Sequence, residues 1–182
     1  MPVDAQELCG EVLAVLGEAE ADAVSFGRAA LLACPPGCGD CCRDDRPEDS
    51  VLAALPAVMQ AVEQGRAEAL AAAAVERPEG PCFFYDVALQ GHCTIYRQRP
   101  LVCRLFGFAG WRDKHGTAQF RPCKRMKARG APVEPAAIPV FGDFAARLGG
   151  IYPPLGNERQ AINVAFHRAA QWMLLKQQYE KL

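Results

Sequence analysis

The 182-residue sequence has no run approaching the ~20 uncharged apolar residues that a membrane-crossing helix requires. Its first turn carries Asp4, Glu7 and Glu11 where a secretory leader would place a basic stretch followed by an apolar one, so a cytoplasmic location is expected. No repeat of fixed period recurs, and no long low-complexity linker divides the chain. One domain spanning residues 1–182 is therefore predicted. Catalytic signatures are also missing: there is no recognisable Ser–His–Asp set, paired carboxylates or phosphate loop. The only G-x-G, Gly37 to Gly39, sits inside a cysteine-bearing loop and not after a strand, where a cofactor fingerprint needs it. His115 and His167 carry no signal of a site.

What is present in excess is cysteine. Hydrophobic residues make up 51% of the chain and charged residues 23%, enough to build an ordinary core without covalent help. Nine cysteines are then an anomaly, and their odd number would leave one unpaired in a fully bridged framework. In a reducing compartment such a set points to metal binding or redox chemistry before structural disulfides.

The net charge of −1 hides an asymmetry. Residues 1–81 carry 15 acids and 5 bases, whereas residues 97–129 carry 10 bases against the single acid Asp113.

Periodicity predicts a mainly α fold with little β and irregular cysteine-rich loops. Asp4 and Glu7 form a capping pair for a first helix, whose apolar positions Leu8, Val12, Val15, Leu16, Ala19 and Ala23 recur at helical spacing to about residue 33. Cys9 falls on that stripe and reads as a core residue. Residues 34–49 form a loop. Ser50 caps the next helix, and Pro56 is expected to divide it in two. The Ala-rich stretch 67–75 is helical and ends before Pro78. A short strand is expected over Phe83 to Leu89, turned at Gly91, with an extended piece at Thr94–Tyr96. Pro100 starts a short helix bearing Leu101, Val102, Leu105 and Phe106. Residues 111–130 read as a basic loop or irregular hairpin, 140–148 as a short helix, and 157–181 as the final helix. In that last helix Lys176 and Lys181 complement the negative end of the dipole.

Cys34, Cys38, Cys41 and Cys42 form C-x3-C-x2-C-C within one loop. Thiolates so crowded repel unless a cation gathers them, and the Pro and Gly residues between them let the backbone wrap an ion. Cys82, Cys93, Cys103 and Cys123 follow at wide spacing and act only if the fold brings them back.

The loop Cys34–Cys42, Pro81-Cys82-x-Phe84, and Gly91-His92-Cys93-x-Ile95-Tyr96-x-x-Arg99-Pro100-x-x-Cys103-Arg104-x-Phe106 together resemble the YkgJ-type cysteine-cluster family. The resemblance lies between residues 34 and 106, leaving 1–33 and 131–182 outside it. It implies that Cys34, Cys38, Cys41, Cys42, Cys82, Cys93 and Cys103 act together on a metal. Cys123 is the expected eighth member, and the cysteine-cluster core then runs over about 34–123. The metal it implies is zinc or iron. Eight thiolates suit one or two zinc ions, and an iron–sulfur cluster also takes four thiolates. Adjacent Cys41 and Cys42 strain to reach one ion together and more easily serve different metals. C-x3-C-x2-C is also the radical S-adenosylmethionine spacing, but Asp40 stands where that motif has an aromatic residue. His92 beside Cys93 is a further candidate ligand, although an isolated loop histidine is usually surface.

The arginines around Cys103 (Arg97, Arg99, Arg104) are suited to neutralise an anionic metal–thiolate centre. The denser run Arg121–Arg129 suits either a solvated face paired with the acidic half of the chain or contact with nucleic acid or another acidic partner. Three functions follow. One is a metal-binding module with closed, non-catalytic sites. Another is an S-adenosylmethionine-dependent protein methyltransferase, because the flagellin lysine methylase is similar to this family in its cysteine cluster. The third is a redox protein using an iron–sulfur cluster.

Overall fold

The structure is a computed structural model that describes residues 4–43, 46–76, 78–86, 88, 92–126 and 134–179. Val87, Leu89, Gly91, Lys127, Arg129, Lys181 and the side chain of His92 lie outside the described residues. Asp4 opens helix α1 (Ala5–Ala29), its carboxylate accepting from the Gln6 and Glu7 amides and satisfying two of the orphan donors of the first turn. The periodic residues read from the sequence, Leu8 through Ala23, face the core, and Cys9 is fully buried among them. The helix stops at Ala29, about four residues earlier than expected, because Leu31 turns into the left-handed region with φ 51°.

After a single turn, α2 (Asp40–Arg43), the strand β1 (Glu48–Ser50) leads into α3 (Val51–Glu63), where the Ser50 hydroxyl accepts from the Ala53 amide. Pro56 does not divide α3. The helix runs through it, although a proline there removes one hydrogen bond and crowds a carbonyl at a cost of ~3 kcal/mol. Burial offsets that cost, since Leu52, Ala53, Ala54, Leu55, Ala57 and Val58 are all fully shielded. Helix α4 (Ala67–Glu76) follows as predicted.

The expected strand over 83–89 shrinks to β2 (Tyr85–Asp86), paired antiparallel with β3 (His92–Cys93). Phe83 and Phe84 lie in the preceding turn, where Phe84 packs edge-on against Phe166 of the last helix. Thr94–Tyr96 is not extended; it enters a single 3-10 turn. Helix α5 (Leu101–Leu105), the hairpin β4 (Trp111–Arg112) and β5 (Ala118–Gln119), and α6 (Phe141–Ile151) then follow. Past the one-turn α7 (Pro153–Gly156), strand β6 (Arg159–Ala161) pairs with β1, Asp49 standing opposite Gln160. Residues expected to begin the last helix are thus a strand, and α8 starts at Ile162 and ends at Tyr179. The β1–β6 ribbon sets the starts of α3 and α8 side by side, and these two helices pack along each other.

The main core lies among α1, α3, α5 and α8, with Leu16, Leu55, Leu101 and Phe166 at full burial. A second apolar cluster joins the C-terminal end of α1 to the basic segment through Phe26, Leu32, Met126 and Val140. The cysteine-bearing segments run between the two. No helix among the described residues is long and apolar enough to cross a membrane.

Candidate metal centre

The four-cysteine loop is shaped by its small residues. Cys38 donates its amide to the Pro35 carbonyl at 3.1 Å, a tight turn that Gly37 completes at φ 69°. The single turn α2 then presents Cys41 and Cys42 in succession. Neighbouring positions on a helix diverge by about 100°, yet the two sulfurs stand in contact. Gly39 has no substitute here: a Cβ would stand 2.3 Å from the Tyr85 ring. That close approach seats the loop on the β2–β3 hairpin, and the Cys82 amide donates to the Cys42 carbonyl at 2.7 Å.

Asn163, fully buried on α8, holds the second segment. Its side-chain oxygen accepts from the Phe83 amide at 2.9 Å, while its nitrogen donates to the Pro81 carbonyl at 3.0 Å. Cys82 lies between those two anchor points. Within the hairpin the Tyr85 amide donates to the Cys82 carbonyl at 3.0 Å, and Cys93 pairs with Tyr85 across the ladder.

Asp49 fixes the third segment. From β1 it accepts the Ser50 amide at 2.8 Å and, with its other oxygen, the Val102 amide at 2.7 Å. A carboxylate 53 residues away thereby caps α5, whose own N-cap is Pro100 and offers no side-chain acceptor. Burial pushes the Asp49 carboxyl up to about 6 despite the two amides and Arg159, which pull it down. On α5, Arg104 is buried and fully engaged: it pairs with Glu20 of α1 and donates to the Arg99 carbonyl at 2.8 Å and to the Arg97 carbonyl. Glu20 also takes Arg99 at 2.9 Å. Arg104 thus serves first as a structural pin. Arg99, stacked on the Tyr96 ring at 4.0 Å, lies closer to the role expected of it, because its charge acts on Cys93.

Cys123 approaches from the basic segment. At Gly107, φ is 78° and a Cβ would meet the Cys123 Cβ at 2.9 Å, so only glycine admits this contact. The segment is tied back by Arg125, which pairs with Asp40 at the start of α2, while Arg43 takes the other Asp40 oxygen at 3.0 Å. With Arg99 and Arg104 on Glu20, three bases of the 97–129 segment are paired with acids of the first 81 residues.

Four remote stretches therefore meet at one cavity of about 540 Å³. Its wall includes Cys34, Cys38, Cys41, Cys42, Cys82, Cys93, Cys103 and Cys123, and Cys9 is absent from it. All nine cysteines are free thiols. The sulfurs of Cys41 and Cys42 are 4.0 Å apart, close to the ~3.8 Å edge of a tetrahedron of sulfurs at ~2.3 Å from zinc. Among the described residues, no three Cys, His, Asp or Glu side chains already converge as a closed ligand group. The donor set is nevertheless selective: eight thiols stand against the two carboxylates Glu20 and Asp40 on the wall, and sulfur favours zinc, iron–sulfur centres and copper(I) over hard cations. Burial raises the Cys82 thiol to about 12 and Cys103 well above the ordinary range. Burial and then Cys38 raise Cys34 to about 11, and the hydrogen bond with Cys41 raises Cys42. At neutral pH these are protonated thiols that a cation must deprotonate on binding.

Sequence reasoning missed Glu20, Asp49 and Asn163, which anchor the cysteine segments. Only Asn163 left a trace, as a polar residue set within the apolar stripe of the last helix.

No curated protein and no solved structure matches the chain. One family model does, over residues 33–125. Its name, CxxCxxCC, specifies two residues between the first two cysteines, where this chain has Pro35, Pro36 and Gly37. The match spans half the chain and takes in all eight cavity cysteines, and the protein belongs to this family, the YkgJ-type family described as "Putative zinc- or iron-chelating domain".

Proposed function

We propose that the eight cavity cysteines are the metal ligands and that the protein is a zinc chelator of the reducing cytoplasm. The observation that carries this reading is the gathering of thiols from four remote stretches onto one cavity wall, while the ninth cysteine is packed away in the core. Bound zinc would add cross-links to the Cys82–Cys42 backbone bond and the Arg125–Asp40 pair that already join these segments. Eight thiolates would fill two tetrahedral spheres and leave no open position, which suits holding, storing or sensing the ion and not catalysis.

The chain's own residues prepare the site. Asp49, Asn163 and Glu20 hold the backbone around Cys103, Cys82 and the Arg99–Arg104 stretch before any ion arrives. Arg99 beside Cys93 and Arg125 beside Cys38 offset the negative charge that coordinated thiolates bring. Metal and acid-labile sulfide analysis of protein purified without oxygen tests the assignment. Colourless protein with stoichiometric zinc and no sulfide is expected. Brown protein containing iron and sulfide would replace zinc with an iron–sulfur centre on the same cysteines. Protein that holds neither, even after reconstitution, would overturn the reading.

A further inference from the structure

The cavity is larger than its thiols need. A metal ion held ~2.3 Å from four sulfurs sits among the wall atoms and fills almost none of the 540 Å³. That volume lies within the ~300–1,000 Å³ of sites that hold small organic molecules. Part of the wall carries no cysteine and is one face of α1: Glu20, Ala23, Val24, Gly27 and Arg28, spaced as helical neighbours. All five precede residue 33, where the family match begins. Ala19 and Ala23 anchor this face in the main core, so it stays in place when the thiols close on an ion. Phe106, Phe108 and Met126 add apolar wall, and Phe108 lies so near α1 that a Cβ on Gly27 would stand 3.0 Å from its ring. Val24 and Tyr96 are 46% and 59% exposed, an apolar rim that water covers poorly.

The charges on this wall do not balance. Both of its carboxylates are taken, Glu20 by Arg99 and Arg104 and Asp40 by Arg43 and Arg125. Of its three arginines, Arg28 alone has no side-chain partner among the described residues. The thiolates of a loaded centre have other cations, Arg99 beside Cys93 and Arg125 beside Cys38. What the cavity lacks is therefore an anion with an apolar body.

We infer that the α1 side of the cavity is a second binding site, for a small organic monocarboxylate with a hydrocarbon body. The carboxylate meets the Arg28 guanidinium, which accommodates its two oxygens as a fork. The hydrocarbon part lies along Ala23 and Val24 and against Phe106 and Met126, which removes apolar wall and ligand from water together. This site uses none of the cysteines, so it stands or falls separately from the chelation proposed above.

Calorimetric titration of octanoate into zinc-loaded and metal-free protein tests the site, with zinc content measured separately. Saturable binding is expected in both forms, and octan-1-ol should bind about fivefold more weakly, the worth of one exposed ion pair. Arg28→Gln, at an exposed position, should weaken octanoate by about the same factor and leave octan-1-ol unchanged. Val24→Trp, also exposed, should weaken both by filling the space, with an unaltered circular dichroism spectrum. Octanoate that binds no tighter than octan-1-ol, or that ignores Arg28→Gln, would overturn the carboxylate assignment. Undiminished binding to folded Val24→Trp would overturn its placement, and loss of binding on zinc loading would show that the cavity closes around the ions. Tighter binding of the peptide Ala-Ala-Ala-Leu, through its free terminal carboxylate, would replace the free acid with a protein terminus. Protein that takes up no zinc yet binds octanoate would sink chelation and leave this site standing.

Discussion

Glu20 on α1 grips the buried guanidinium of Arg104, 84 residues further along the chain and directly after Cys103. The pair fastens a helix outside the matched family segment to the part of that segment that brings the third cysteine stretch to the cavity. Arg104 is 5% exposed along its side chain, so it cannot recover water if its partner is lost. Burial alone pulls its proton affinity down, and Glu20 pulls it back up.

Glu20→Gln should therefore destabilise the fold by about 2 kcal/mol, toward the low end for stripping a partner from a buried charge, because Glu20 itself is partly solvated. Urea unfolding of the variant measures this. A loss under about 0.5 kcal/mol would place the pair with ordinary surface ion pairs.

Asn163→Ala should cost about 2 kcal/mol, since it leaves the half-buried Phe83 amide and the Pro81 carbonyl without their buried partner. Asn163→Asp is the sharper variant. It keeps the acceptor for Phe83 but turns a carboxylate oxygen toward the Pro81 carbonyl, so the variant should be weaker near neutral pH than near pH 4. Equal stability of Asn163→Asp at the two pH values would show that the amide nitrogen is not needed.

How much of this was legible in the residues follows from the range of each interaction. The stripe Leu8–Ala23, the Ser50 cap and the short helix after Pro100 are local, and the spacing of apolar residues with one capping side chain predicts them. The eight cavity cysteines were also named in advance, four from crowding in one loop and four from family resemblance. Pro56 misled because its penalty is local, whereas the burial that outweighs it belongs to the assembled core. The β1–β6 ribbon joins residues more than a hundred positions apart through backbone pairing, which leaves no periodicity in three-residue strands. Asp49 illustrates the same difficulty, for its partner Val102 is unrelated to it in sequence.

Asp49 also gives stability a pH dependence of definite sign. Its carboxyl is raised to about 6 in the fold, against ~3.9 in an unfolded chain. Between those values the folded protein keeps a proton that the unfolded chain releases. This group's contribution is therefore fully present below about pH 4 and is lost as pH rises through about 6, a fall of roughly 3 kcal/mol. Asp49→Asn removes the titration. The stability difference between the unaltered chain and Asp49→Asn should shift against the unaltered chain on going from about pH 4 to pH 7. A difference independent of pH would contradict the raised value.

Raised thiols make metal uptake a proton-releasing event. With Cys34 at about 11, Cys82 at about 12 and Cys42, Cys93 and Cys103 also raised, these thiols keep their protons at pH 7 and must give them up on coordinating a metal. Zinc added to metal-free protein in weak buffer should release close to one proton per coordinating thiol, read with an indicator dye. Apparent affinity should fall steeply as pH is lowered, because protons compete at every sulfur. Release of only one or two protons per chain would mean that most cavity thiols are not ligands.

Removing the metal should separate the two halves of the architecture. The packing of α1 on α3 and of α3 on α8 rests mainly on leucines, valines and alanines away from the cavity, with Ala23 and Phe166 reaching its wall. The loop from Cys34 to Cys42 and the stretch around Cys123 are held by backbone hydrogen bonds, the Asp40 ion pairs and the edge of the second apolar cluster, not by the main core. A strong chelator should therefore leave helical circular dichroism nearly unchanged. Amide exchange should accelerate over residues 34–43 and around Cys123 and stay slow in α3 and α8. The order of loss follows from burial, since the hairpin around Cys82 is still clamped by Asn163 after the ions leave. Collapse of helicity on chelation would show instead that the core depends on the metal, in the manner of small zinc domains that are unfolded without it.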